Sequence, residues 1–464
     1  MAITSKVIEQ SRVSPPIGSV PTTSLPLTIF DLAMCHSSPV QWLSFYEFSH
    51  SAQEFIETIV PSLKKSLSLA LKLFFPFAGN CMCHSPPTLP YILYTDGDTV
   101  PFTVAESSAN LDHLIMANNY PRPVEDVHPF VPKLAPTRLE GNARVFPLVA
   151  FQVTIFPKLG FCVGVTFNHL VADGLTFSQF MKAWASICKN GEDYIMCPPL
   201  YDRSFVNDIP NIKSMEPLIL SFFWDWTLTQ NKEEVEEHPS HENQVDHHKY
   251  RFTFVMDGTQ IERLKRWVKN QFHRDDSDQS LYLSTYVVTC ALTWVCFFKC
   301  FPGDEDQQYN FGFLADKRNL LENPIPNTYF GNFLTGCGVS IKRRDLLAAN
   351  GIAYAAKAIG EKVWELKTFK DLAPTEVSLD LNESVLSSSM GVAGSPKFGL
   401  YEIDFGWGRP KMMDFVHIDY ASTPHIISLC DMRDDKYGIQ VSLVESRTKL
   451  EHFKAFLEES LRMC

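Results

Sequence analysis

Nothing in this 464-residue chain is long and apolar enough to suggest a helix crossing a bilayer. Such a helix needs about 20 consecutive apolar residues, and the first apolar run is short and broken by Pro15, Pro16, Pro21 and Pro26. The same prolines leave no leader-like opening. Positive charge is also in short supply: 41 Lys and Arg against 53 Asp and Glu give a net charge of −12, with the basic residues scattered. No basic stripe therefore suggests nucleic acid or an anionic membrane as a partner. The twelve cysteines fall in no framework or zinc-ligand spacing. Cys81 and Cys83 are too close for an ordinary zinc pair, and Cys290, Cys296 and Cys300 lie in an apolar run without histidines. With Cys464 at the final position, no prenylation box is expected. Reduced, mostly buried thiols in a cytosolic protein are the expectation. The GxSxG, P-loop and HExxH templates are all missing. The pair Gly406 and Gly408 lacks the third glycine and the helix that a dinucleotide site needs.

A hydrophobic content of 45% with 20% charge fits a globular chain with large cores, and the length suggests two domains. The 35 phenylalanines serve such cores, and some could line a pocket for an aromatic ligand.

The stretch Phe161–Phe180 organises the rest. Phe161, Val163 and Val165 alternate with small residues as a strand does. Asn168 and His169 follow, then Asp173-Gly174, then Phe177, Phe180, Met181 and Trp184 at helical spacing. The pattern predicts strand, tight turn and helix, with Gly174 permitting the turn. A histidine at a strand end, fixed by a carboxylate four residues on, suits general-base work near neutrality. A hydrogen-bonded core histidine beside a turn aspartate fits the same pattern equally well.

Elsewhere, Leu27–Asp31 reads as loop, Trp42–Phe48 as strand and Gln53–Leu73 as an amphipathic helix. Tyr91–Tyr94 and Val100–Val104 suggest a hairpin about Asp96-Gly97. Val145–Phe156 reads as one central strand. Residues 191–249 change character, with several prolines and the acidic, histidine-rich run 231–248, and read as a linker. His238, His241, His247 and His248 fit no zinc signature, so a solvated loop is preferred to a metal site. Beyond it come strand 250–256, helix 258–272 and a buried helix after Ser284 and Thr285. Ser284 or Thr285 caps that helix or, as a helix start, binds phosphate. Gly399–Phe405 reads as a strand.

With no nucleophile flagged by its surroundings, a lone base points to direct transfer. His169 would deprotonate a bound hydroxyl or amine, which attacks an activated carbonyl. The oxyanion would need fixed donors, and the Trp407 indole is a candidate.

His169-Leu170-Val171-Ala172-Asp173 is an HxxxD motif, and Asp404–Gly408 reads DFGWG. The pair resembles the plant BAHD acyl-CoA-dependent acyltransferases. Tyr329-Phe330-Gly331-Asn332, with Val7–Gln10 and Val392–Lys397, resembles the anthocyanin and phenolic-glucoside branch. The branch motif usually ends in cysteine, where this chain has Phe333. The resemblance implies an α/β fold of two similar-sized domains with mixed sheets, of the chloramphenicol acetyltransferase-like type, enclosing a channel. Residues 1–190 would be the first domain, 191–249 a crossover linker and 250–464 the second, part of it packing back on the first. His169 would be the base. Asp173 would be structural and paired with an arginine, for which Arg318 is chosen, with Gly174, Tyr329 and Asn332 in support. Asp404 would be structural too, its motif walling the channel. Ser284, Thr285, Ser395 and Lys397 are candidates for contacting CoA.

The expected activity is O-acylation of a flavonoid or phenolic glucoside from acyl-CoA. No resident cofactor, metal, nucleic acid or membrane is implied, and the chain is expected to be a cytosolic monomer. Some malonyl-transferring relatives carry an arginine just after HxxxD. Here no base precedes Lys182, which favours a hydroxycinnamoyl group over malonyl. N-acylation of an amine, or silent small-molecule binding, are the alternatives.

Overall fold

Two neighbouring strands, Val149–Phe156 and Gly160–Phe167, are buried at every residue. Such strands need cover on both faces. In the computed structural model, which describes residues 3–86, 88–115, 120–191, 197–207, 209, 212–233, 249–272, 281–321, 323–368, 383–421 and 424–464, they form the middle of a six-stranded mixed sheet. Its order is Lys6–Val13, Val100–Glu106, Val149–Phe156, Gly160–Phe167, Val40–Glu47 and Met412–Phe415. The helices Val60–Leu73 and Gly174–Asn190 bury Leu63, Leu67, Leu71, Phe177, Phe180 and Trp184 in the core beside it.

A second mixed sheet has seven strands, with Lys249–Met256 and Ile439–Ser446 next to one another. Helices Gly258–Gln271, Thr285–Phe298, Gly351–Thr368 and Arg447–Met463 pack into its core. A smaller five-stranded sheet includes Tyr91–Tyr94 and Ala143–Pro147. The chain exchanges strands between the two large sheets. Met412–Phe415 extends the first by pairing with Val40–Glu47, and Arg122–Pro123 extends the second by pairing with Lys249–Met256.

Several local expectations are corrected. Tyr91–Tyr94 and Val100–Glu106 are not a hairpin; they belong to different sheets. Val145–Phe156 is two strands, because Pro147 and Leu148 break the run and redirect the chain from the small sheet to the large one. Gly399–Phe405 holds a 3-10 turn at Leu400–Glu402. Within 191–249 lies a 22-residue helix, Ile212–Glu233. Pro217 hid it, since proline inside a helix removes a hydrogen bond and clashes with the preceding turn. Packing overrides that cost: Phe223 is fully buried, Phe222 meets His36 at 4.2 Å and Trp226 meets Phe146 at 5.2 Å between ring centroids. His238, His241, His247 and His248 lie outside the described residues. All twelve cysteines are free thiols, eight of them buried. Among the described residues no helix is long and apolar enough to cross a membrane.

Candidate active site

Asp173 is the N-cap of helix Gly174–Asn190, its Oδ1 accepting from the Thr176 N–H at 2.9 Å. The other carboxylate oxygen accepts from the Phe333 N–H at 3.2 Å and pairs with Arg318 at 2.7 Å. Both side chains are buried. Arg318 also donates to Asp316 (3.1 Å) and to the Gly331 carbonyl (3.0 Å), and it stacks on the Tyr329 ring. One ion pair therefore ties the start of the helix to the loop Tyr329–Phe333. Gly174 does not supply a left-handed turn, contrary to expectation, since it is absent from the glycines of positive φ. It is the first helical residue, and a Cβ there would come within 2.5 Å of the Phe398 ring. Its service is room for that ring.

The histidine is oriented from the same loop. His169 Nδ1 lies 3.1 Å from Asn332 Oδ1. The Asn332 amide nitrogen donates to Asp31 Oδ1 (3.0 Å) and to the His169 carbonyl (2.8 Å). Both are acceptors only, so the amide orientation is fixed and Oδ1 must face the ring as an acceptor. His169 Nδ1 therefore carries the proton, and Nε2 is left with its lone pair. Asp31 accepts in addition from the Asn332 N–H at 2.8 Å and from the Thr28 N–H at 2.9 Å. It is wholly buried on the short helix Ile29–Leu32, within a capping box begun by Thr28. Reading Leu27–Asp31 as loop missed this residue. The signal was present as Thr28-x-x-Asp31, a capping spacing.

Burial holds the His169 imidazole below its ordinary value, partly offset by its own carbonyl, by Asp173 and by Asn332. The residue is half-buried. Beside it lies an arc of aromatic rings. Phe167 stacks on Phe177 at 3.9 Å, and Trp42 meets Phe167 at 5.8 Å, Phe177 at 5.3 Å, Phe398 at 6.4 Å and Phe415 at 5.6 Å. Arg203, from the stretch read as linker, donates to the Tyr329 hydroxyl at 2.6 Å and to the Phe330 carbonyl.

The second motif sits elsewhere. Asp404 pairs with Lys189 at 2.6 Å, in the last turn of the helix that Asp173 begins. Sixteen residues at about 1.5 Å each put roughly 24 Å between them. Asp404 also accepts from the Gly406 and Gly408 N–H groups at 2.8 and 2.9 Å, closing its own loop. Burial works against its charge, but Lys189 and the two N–H donors outweigh it and hold the carboxyl below its usual range. Trp407 packs on Phe48 and Phe161 at 5.9 and 6.1 Å. Phe161 stands six residues, about 20 Å, from the end of the strand that leads to His169. The expectation that the Trp407 indole serves the oxyanion is therefore corrected: neither it nor Asp404 can touch atoms reacting at His169.

The remaining candidates are scattered. Ser284 caps helix Thr285–Phe298, its Oγ accepting from the Val287 N–H at 3.2 Å, and Thr285 is the first helical residue. Ser395 Oγ accepts from the Lys397 N–H at 3.2 Å. Lys397 lines a cleft of about 600 Å³ with Lys182, Glu402, Arg409, Arg433 and Lys436. Lys182 stands eight residues, about 12 Å, along the helix from Gly174.

Comparison with known proteins follows the same lines. The family model described as "Transferase family" matches residues 4–460. The chain is 35% identical to coumaroyl-CoA:anthocyanidin 3-O-glucoside-6''-O-coumaroyltransferase 1 of Arabidopsis thaliana, over 98% of this chain and 97% of that one. It is 33% identical to a malonyl-coenzyme A:anthocyanin 3-O-glucoside-6''-O-malonyltransferase of Dahlia pinnata, with the same coverage. Among solved structures it resembles vinorine synthase, with a TM-score of 0.64 and 17% identity, covering 97% of this chain and 96% of that one. It also resembles F. sporotrichioides TRI101 complexed with coenzyme A and T-2, with a TM-score of 0.65 and 15% identity, covering 93% and 97%. These likenesses are of fold, the two-domain chloramphenicol acetyltransferase-like architecture with mixed sheets.

Proposed function

The chain belongs to the transferase family matched across residues 4–460, the BAHD acyl-CoA-dependent acyltransferases, and from that premise we propose that it moves a hydroxycinnamoyl group from CoA to a sugar hydroxyl of a flavonoid or phenolic glucoside. The observation that carries this reading is the fixed tautomer of His169, whose Nδ1–H is committed to Asn332 and whose Nε2 is free to take a proton. His169 is the base. Asp31, Asn332, Asp173 and Arg318 are positioning residues. The glucoside hydroxyl gives its proton to Nε2 as its oxygen bonds to the thioester carbon. Collapse of the tetrahedral intermediate breaks the C–S bond, and the CoA thiolate takes that proton from His169. General-base action of this kind contributes about 10²–10⁴-fold. CoA is a co-substrate and not a resident group.

Two features favour an aromatic acyl group over malonyl. Trp42, Phe167, Phe177, Phe398 and Phe415 offer a wall of ring faces and edges. The guanidinium groups nearest the site are each engaged: Arg318 with Asp173, Arg203 with Tyr329 and Phe330, and Arg251 with Asp419. A free malonyl carboxylate would want an uncommitted cation. Lys397, in the lining of the cleft, whose basic residues are interspersed with Glu402, Asp431, Asp434 and Asp435, and Ser395, two residues before it, are the proposed contacts for the CoA phosphates. In this reading residues 1–190 and 250–464 form the two halves, the protein acts as a cytosolic monomer, and Ser284 and Thr285 act as helix cap and first turn.

Thiol release from coumaroyl-, malonyl- and acetyl-CoA, measured with glucosides and amines, tests the reading. Coumaroyl-CoA with a glucoside should turn over fastest. Malonyl-CoA as the preferred donor would overturn the acyl assignment, and turnover of amines alone would overturn the acceptor class.

A further inference from the structure

His417 has no part in the chemistry above, yet it is built into the fold much as His169 is. It lies two residues beyond Phe415, the last residue of the edge strand Met412–Phe415. Phe415 pairs with Trp42, and Phe167 pairs with Val40, so side-chain alternation puts all four on one sheet face. His169 follows Phe167 by two residues, with ring centroids 6.3 Å apart, and His417 follows Phe415 by two, at 6.0 Å. The two imidazoles thus end opposite sides of one arc of rings, with strand Val40–Glu47 between the strands that lead to them. Two inter-strand spacings of about 4.8 Å set those strands about 10 Å apart.

Among the described residues, the His417 ring is held at its Nδ1 edge. The ladder to Met412–Phe415 ends at Trp42, one residue short of Gln41. His417 Nδ1 lies 3.3 Å from the Gln41 nitrogen and 3.4 Å from its oxygen. Buried N–H groups are rarely left unpaired, whereas carbonyls are more tolerant. Nδ1 therefore accepts from the Gln41 N–H, and the ring proton resides on Nε2. Its segment is anchored on both sides by Arg251, which donates to the Phe415 carbonyl at 2.7 Å and pairs with Asp419. Burial pushes the imidazole down to about 4, assisted by nearby His169 and Arg251 and opposed by Asp419 and by the Gln41 carbonyl, which would accept from Nδ1 only once the ring were charged. The ring is neutral at working pH. Like His169, the residue is half-buried.

We propose that His417 is the oxyanion donor of the acyl transfer, its Nε2–H hydrogen-bonding the thioester carbonyl oxygen as the hydroxyl held by His169 attacks. The proposal rests on the acyl-transfer reading above. As the new C–O bond forms, the carbonyl π electrons move onto that oxygen, where the N–H stabilises them. When they return, the C–S bond breaks and the thiolate leaves. His417 keeps its proton throughout. No peptide N–H or indole need serve.

The test uses the full-length enzyme with coumaroyl-CoA and a glucoside, and the variants H417N and H417Q. Asparagine keeps an oxygen where Nδ1 stood, so the Gln41 N–H stays capped, but it has nothing that reaches as far as Nε2. Glutamine restores an N–H at that reach. Loss of kcat by about 10²–10³-fold in H417N, with KM for coumaroyl-CoA and melting temperature near wild type and partial recovery in H417Q, is the expected result. An H417N kcat within threefold of wild type overturns the assignment. So does equal loss in both variants accompanied by a matching fall in melting temperature, which would make His417 a strand cap alone. A wild-type enzyme that releases no CoA from any donor and acceptor pair defeats the acyl-transfer reading itself, a result visible before any variant is made.

Discussion

An imidazole can act as a base only through the nitrogen that lacks a proton. In His169 that choice is made by Asn332, whose own amide is fixed by Asp31. Two kinetic consequences follow. Because burial keeps the ring below the ordinary imidazole value of about 6.5, the neutral base persists as pH falls through 6.5. The acid limb of kcat/KM should therefore appear below that value; a limb at or above it would contradict the assignment. In N332L the hydrogen bond that favours the charged ring is gone, so the limb moves further to acid while the plateau falls, by about 10² for a misaligned base. A purely structural asparagine would leave the limb where it was. Asp173 differs. D173N leaves buried Arg318 with only Asp316 as a carboxylate partner, a loss of about 3–5 kcal/mol read as a lowered melting temperature, and because the Asp173 charge raises the imidazole, the limb should also shift to acid in whatever fraction folds.

At the scale of elements, helix Gly174–Asn190 is the ruler of the site. Its N-cap carboxylate is pinned by Arg318, and its last turn carries Lys189, which holds Asp404. The two sequence motifs are thus fastened to opposite ends of one rigid rod. D404A removes the acceptor for two loop N–H groups and for Lys189. It should cost about 1–3 kcal/mol of stability, measured by denaturant unfolding, while folded enzyme keeps its pH profile. A changed acid limb in D404A would mean that the loop reaches the base after all. The strand, turn and helix at Phe161–Phe180 were legible in the sequence because alternation and helical spacing are local signals. Helix Ile212–Glu233 was not, since Pro217 argues locally against a helix that only its contacts with His36 and Phe146 repay.

Over the whole molecule, the two large sheets are joined by a buried ionic cluster. Arg122 and Arg251, on strands of the second sheet, bind Asp414, on the edge strand of the first, and Arg251 also binds Asp419. His128 adds a contact to Asp419 at 3.1 Å. Burial works against the Asp414 charge, but the two arginines prevail and depress its carboxyl. A depressed carboxyl stabilises the fold above its unfolded value, about 3.9, and that contribution fades as pH falls through the folded value. R251M leaves two buried carboxylates short of a partner and should lower stability by about 3–5 kcal/mol. It should also slacken the segment Phe415–Asp419 and with it His417. Unchanged melting temperature in R251M would show that the cluster is not a clamp.

The sequence by itself determined the local pieces: the strand and turn that present His169, the aspartate at that turn, and the HxxxD and DFGWG motifs whose resemblance points to acyl transfer. Each is written within a few residues, where backbone period and capping rules act. Only the tertiary structure decided that Asn332 and Asp31 set the tautomer, that Trp407 lies a strand's length from the chemistry, that Gly174 makes room for Phe398, and that His417 stands across the ring arc from His169. Those relations join residues from about 140 to more than 250 positions apart. Their geometry depends on which strands pair and in what register, and no local period carries that information.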